Sequence, residues 1–144
     1  MDELERKVTA PLGEVTVAGR PECVAVLRGA AQALVALVAP EAADAAELVC
    51  SELGGNAVRH SRSGEPGQTM TLHVHDEGET VRLALTDRGS RGARPQIAVS
   101  ADPLELHGRG LFLVQAISKE WGVEYGSDGS TTVWSRLDVV AGVS

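Results

Sequence analysis

The chain predicts an α+β fold, a two-layer sandwich with helices on one face of a mixed, mostly antiparallel sheet, and three patterns lead there. Apolar residues at three- and four-residue spacing mark two helices within the first 60 residues, and strict alternation marks a hairpin between residues 70 and 85. A third helix and two strands follow a polar stretch, so the order reads β-α-α-β-β-loop-α-β-β. The 144 residues carry 13 Lys+Arg against 20 Asp+Glu, a formal charge of -7, and 43% of them are apolar, which fits one acidic domain with a core. This balance excludes a general nucleic-acid binder, which needs clustered Lys and Arg to displace counterions from phosphates. The longest clean apolar run, Ala33 to Ala39, is far short of a membrane span, and the start at Met1-Asp2-Glu3 lacks a signal-peptide pattern. A cytoplasmic protein with no membrane contact and no direct nucleic-acid contact is expected.

The elements follow in order. A strand is expected around Glu14 to Val17, and Pro21 suits a first helical turn because its missing N–H is not needed there. Leu27, Ala31, Leu34, Val35 and Val38 then form one apolar stripe, which Pro40 stops. The second helix runs from near Ala42 to about His60, with Val49, Leu53 and Ala57 on its stripe, before the turn-rich Ser61 to Gly67. Met70, Leu72 and Val74 alternate with Thr71, His73 and His75, and after a tight turn at Asp76 to Glu79 the alternation resumes at Val81, Leu83 and Leu85. Periodicity disappears from Arg88 to His107, a length that in a compact domain points to function or disorder. Leu111, Val114 and Ile117 mark the third helix, and Trp121 to Tyr125 and Thr131 to Leu137 the last strands. The four aromatic residues all fall in the last third, so Val, Leu and Ala must build the rest of the core. Cys23 and Cys50 are too few for a disulfide scaffold, lack metal-ligand spacing, and read as small reduced core residues.

Several residues carry the marks of chemistry. Glu52, Asn56 and His60 fall at i, i+4 and i+8, each about 6 Å further along one helix face. That row borders the apolar stripe, where a carboxylate can act as general base and an amide oxygen as a neutral ligand to Mg2+; a solvated helix edge is the plainer alternative. Asp87 is in phase with Val81, Leu83 and Leu85 on the buried face, where a carboxylate needs a donor. Alternatively the strand ends before it and Asp87 opens a turn with Gly89. Gly108-Arg109-Gly110-Leu111 opens a helix after the polar loop, either as a phosphate seat or as ordinary turn chemistry, and it is neither a Walker A loop nor a dinucleotide fingerprint. His73 and His75 share a strand face without a third ligand at fitting spacing, which favours a solvated face over a metal site. Arg88, Arg91 and Arg94 either reach phosphates or solubilise the loop. Gly54-Gly55 in mid-helix, each costing about 1 kcal/mol against Ala, implies close packing or a bend.

Taken in order, Ser51-Glu52-Leu53-Gly54-Gly55-Asn56-Ala57-Val58-Arg59-His60-Ser61, Asp87-Arg88-Gly89, Gly108-Arg109-Gly110-Leu111-Phe112-Leu113-Val114 and Gly129-Ser130-Thr131-Thr132-Val133-Trp134 resemble the N box and the three glycine boxes of the GHKL ATP-binding superfamily, over about residues 10–138. Within it the chain is most similar to the RsbW-like anti-sigma-factor serine kinases. The resemblance implies a Bergerat-type sandwich as a single domain over residues 1–144, with an ATP lid at about 88–107 and with ATP and Mg2+ as cofactors. Glu52 then corresponds to the base that activates the attacking hydroxyl, Asn56 to the Mg2+ ligand, and His60 to the end of the same nucleotide box. Asp87 corresponds to the carboxylate that accepts the adenine amine, with Gly89 giving the turn beside the ring. Gly108, Arg109, Gly110 and Leu111 correspond to the phosphate seat. Thr131, favoured by strand phase with Val133, or else Thr132, corresponds to the hydroxyl that helps Asp87 around adenine. The chain departs from the pattern at Arg91, which stands where a second glycine is usual, with Gly92 one place later, and at Gly54-Gly55, which replace a larger pair.

The function implied is an ATP- and Mg2+-dependent serine/threonine kinase that acts as an anti-sigma factor and phosphorylates a serine of an anti-anti-sigma (STAS) protein. Its partners would be that protein and a sigma factor, with a homodimer left open. An ATP-gated binding module that transfers nothing carries the same motifs. A detached histidine-kinase catalytic domain is a third reading, against which 144 residues leave no space for a dimerising helix pair.

Overall fold

The computed structural model describes residues 9–89 and 111–139. Strand β1 (Ala10–Ala18) lies at one edge of a five-stranded sheet, where Pro11 costs no interior ladder bond and the register shifts between Pro11 and Gly13. Pro21 opens a single 3-10 turn that leads into α1 (Val24–Ala36). Pro40 does the same for α2 (Ala43–His60), so α1 ends before the proline, and the proline starts the next helix as much as it stops the previous one. The hairpin of β2 (Thr69–Asp76) and β3 (Thr80–Asp87) follows, then α3 (Leu111–Ile117), β4 (Glu120–Tyr125) and β5 (Thr131–Asp138). The sheet order is β1-β2-β3-β5-β4. Every pairing among the described residues is antiparallel, which narrows the mixed sheet expected from the sequence.

The helices cover one face. Leu27, Ala31 and Val35 of α1, Ala46, Val49, Cys50, Leu53 and Ala57 of α2, and Leu111 and Val114 of α3 meet Leu72, Val74, Leu83, Leu85 and Val133 from the sheet. Each buried Val or Leu contributes about 1.5–3 kcal/mol. Close approach matters here because the stripe on α2 is made of small residues. Gly54 answers the question its sequence left open: a Cβ there would lie 3.1 Å from Val24 and 3.5 Å from Leu27, so the glycine is where α1 and α2 touch. Among the described residues no helix is long and apolar enough to cross a membrane.

The other face carries no helix among the described residues and is polar. Thr16 and Thr71 share a 2.8 Å hydrogen bond, as do Thr86 and Thr132. Trp134 lies over Gly122, and the guanidinium groups of Arg82 and Arg136 stand over its ring, 5.4 and 4.8 Å from the centroid. His73 and His75 also stand on this face, half-buried and stacked with ring centroids 6.5 Å apart. The two cysteines differ in setting: Cys23 is half-exposed, whereas burial pushes the Cys50 thiol up to about 12.

Two measurements test this packing. Gly29, with open space around it on α1, should give a protein stabilised by about 0.5–1 kcal/mol when replaced by Ala, whereas Gly54→Val should lower stability by about 1–3 kcal/mol, both read from urea midpoints. A thiol reagent should modify Cys23 in the folded protein and reach Cys50 only after unfolding; two thiols reacting at once under native conditions would contradict the core described.

Candidate nucleotide site

Helix α2 sets the first part of the site. Its apolar stripe fixes its rotation against the sheet, and that rotation decides how deep each member of the polar row sits. Asn56, next to Ala57 and one turn from Leu53, is 8% exposed, while Glu52 and His60 remain half-buried. The Asn56 side-chain oxygen is buried and has no hydrogen-bond partner among the described residues. An amide oxygen left in that state costs about 1–3 kcal/mol unless something supplies a donor or a cation. A neutral hard oxygen suits Mg2+, and the row therefore fits a magnesium-bound phosphate chain with Asn56 as the ligand.

Asp87 sets the second part. The strand does not end before Asp87, although the turn with Gly89 is present. Asp87 ends β3 in phase with Val81, Leu83 and Leu85 and is only 8% exposed, and its Oδ1 also accepts the Gly89 N–H at 2.7 Å to open the turn. Gly89 is required twice over, since its φ of 91° is left-handed and a Cβ would collide with the Gly129 carbonyl. The register pairs Asp87 with Thr131, which shares its face, and pairs Thr86 with Thr132. Thr132 is thus excluded from the Asp87 side, because its hydroxyl is spent on Thr86 across the opposite face. That corrects the alternative left open above.

A serine turn joins the two parts, and sequence reasoning missed its role. Ser61 closes α2, its N–H and its hydroxyl both donating to the Ala57 carbonyl, at 3.1 and 2.7 Å. Its oxygen in turn accepts the Ser63 N–H at 3.0 Å. From this short turn the Arg62 N–H donates to the Gly89 carbonyl at 2.7 Å, and the Ser63 hydroxyl accepts the Arg88 N–H at 2.9 Å. The end of α2 and the end of β3 are therefore one connected piece. The Ser-x-Ser spacing after a helix was the available signal.

Glu52 faces outward from this junction. It stands on the wall of a groove of about 520 Å3 between α1 and α2, with Arg28 and Arg59 nearby. Gly55 keeps the groove open and leaves room for Arg59, whose Nη1 would lie 3.1 Å from an added Cβ. Arg88 lines a different cleft, at the end of the sheet, with Arg62, Glu65 and Asp128. Leu111 is 2% exposed and packs in the core at the start of α3. Gly108, Arg109, Gly110, Arg91, Arg94 and nearly all of the expected lid at 88–107 lie outside the described residues, and only Arg88 and Gly89 of that span are seen.

Comparison with known proteins bears on this arrangement. No curated protein matches the chain. A match to the family described as "Histidine kinase-like ATPase domain" extends over residues 17–137, from the end of β1 to the end of β5, and so takes in α2, Asp87 and Thr131 alike. The chain belongs to the histidine kinase-like ATPase domain family, and the sandwich with its α2 and β3 polar groups is the GHKL-type fold.

Proposed function

We propose that the protein is an ATP- and Mg2+-dependent serine/threonine kinase of the anti-sigma type, which holds a sigma factor and phosphorylates a serine on an anti-anti-sigma STAS partner. The observation that carries the reading is the buried oxygen of Asn56, without a hydrogen-bond partner among the described residues, one helical turn from the half-buried Glu52 and on a helix tied through the Ser61–Ser63 turn to the Asp87 turn. Asp87 accepts a hydrogen bond from the adenine amine, a contact to a charged group that contributes about 1.5–3 kcal/mol. Asn56 offers its oxygen toward the triphosphate. A Mg2+ ion that Asn56 would hold there would neutralise part of the phosphate charge. Glu52 takes the proton of the incoming serine hydroxyl as that oxygen bonds to the γ-phosphorus and the bond from phosphorus to the bridging oxygen of ADP breaks. The groove beside Glu52 supports an acceptor delivered by a protein, since it opens that carboxylate to a chain segment and sets Arg28 and Arg59 along the route.

Purified protein incubated with Mg2+, γ-labelled ATP and candidate STAS proteins should transfer label to a serine of one of them. Glu52→Gln should bind ATP within a few-fold of wild type and transfer nothing; turnover retained in this variant would remove Glu52 as the base. Label transfer to no partner, with ATP binding intact, would favour a nucleotide-gated module instead. Mg-ATP at about a hundred times its Kd should stabilise wild type by about 2.7 kcal/mol, a rise in Tm of about 8 °C for a chain of this size. Asp87→Ala should lose most of that rise, and an undiminished shift would place the base elsewhere.

A further inference from the structure

The β2–β3 ladder runs from Asp76↔Val81 to Thr71↔Thr86 and stops. Continued by two residues, the same register brings Thr69 opposite Arg88, where an antiparallel pair would bond the Arg88 N–H directly to the Thr69 carbonyl. Instead, the hydroxyl of Ser63 stands between them. It accepts the Arg88 N–H at 2.9 Å and donates to the Thr69 carbonyl at 2.7 Å. Ser63 is 0% exposed, so no water competes for either bond. The two strands are thereby held apart beyond the Thr71↔Thr86 pair, at the level of Asp87, which keeps its register with Thr131 of β5. The next two backbone groups are fixed as well, the Gly89 N–H by Asp87 and the Gly89 carbonyl by Arg62. The Ser63 N–H is itself bonded to Ser61, and Ser61 to the Ala57 carbonyl, adjacent to Asn56.

We infer that Ser63 is a positioning residue for base selection: by spanning the gap between β2 and β3 its hydroxyl sets the angle at which the Asp87 carboxylate meets a purine, and so sets the preference for a 6-amino over a 6-oxo purine triphosphate. The inference rests on the ATP-binding reading above. Ser63 itself touches no part of the nucleotide. It acts through the Arg88 amide, and removing the hydroxyl leaves that N–H and the Thr69 carbonyl free to bond each other directly, drawing β3 toward β2 and turning Asp87 with it.

The test measures the affinity of the full chain for ATP and for inosine triphosphate, by calorimetry with Mg2+, in wild type, Ser63→Ala and Ser63→Cys. In wild type ATP should bind more tightly than the 6-oxo analogue. Ser63→Ala should weaken ATP by about ten-fold while changing the analogue by less than about two-fold, so the selectivity ratio collapses. Ser63→Cys, with similar volume and a weaker hydrogen bond, should fall between, and it also serves if the alanine variant fails to fold. Equal weakening of both ligands, or an unchanged ratio in a folded variant, overturns the positioning role and leaves only a structural one. A wild type that binds neither nucleotide, or does not distinguish them, overturns the ATP reading itself, which separates the two failures.

Discussion

A buried hydroxyl, that of Ser63, and the neighbouring Arg62 amide join the end of the helical layer to the sheet where the site is built. Sheets and helices in a two-layer fold are held mainly by non-directional apolar contact, which fixes their distance better than their relative orientation. At the end of α2 that freedom is removed by directional bonds. The Ser61–Ser63 turn is bonded backward to the Ala57 carbonyl and forward to the Arg88 amide and the Gly89 carbonyl, so the α2 flank carrying Asn56 and the strand end carrying Asp87 share one frame. Close backbone approach around the turn reinforces this. A Cβ at Gly19 would collide with the Ser63 carbonyl, and one at Gly89 with the carbonyl of Gly129.

Within that frame, polar groups sit at the margin of an apolar layer built from small side chains. Ala46, Cys50 and Ala57 let α2 come close to the sheet, and Gly54 lets α1 come close to α2. The consequence is that Asn56 and Asp87 are nearly excluded from water, each 8% exposed, without being in the middle of the core. Desolvated there, an amide oxygen and a carboxylate interact more strongly with a bound cation or donor than they would on an open surface. The same geometry leaves Glu52 at the rim, accessible through the α1–α2 groove, which suits a group that has to meet a second macromolecule.

The face that carries no helix among the described residues is built differently from the site. Its threonine pairs and the Arg82–Trp134–Arg136 cluster satisfy their polar groups across strands, with Arg136 also bonded to Glu77 at 2.8 Å. That Glu77 hydrogen bond holds the Arg136 guanidinium above its usual pKa. Among the described residues each side keeps a buried atom without a hydrogen-bond partner, His75 Nδ1 on this face and the Asn56 oxygen on the α2 side, and only the latter lies beside the Asp87 turn.

The amino-acid sequence by itself determined the parts that depend on short repeats. Alternation at Val81, Leu83 and Leu85 predicted that Asp87 faces inward, and four-residue spacing put Glu52, Asn56 and His60 on one flank, because strand and helix geometry impose those periods locally. It also gave the element order and favoured Thr131 over Thr132. Only the tertiary structure decided how deep each of these groups lies, that β5 intervenes between β3 and β4, and that Gly54 is a helix contact while Gly55 is the floor of a groove. It alone revealed Ser63, whose partner Arg88 is 25 residues away. A bond between elements that distant follows no period along the chain, so it appears only once the layers have been packed together.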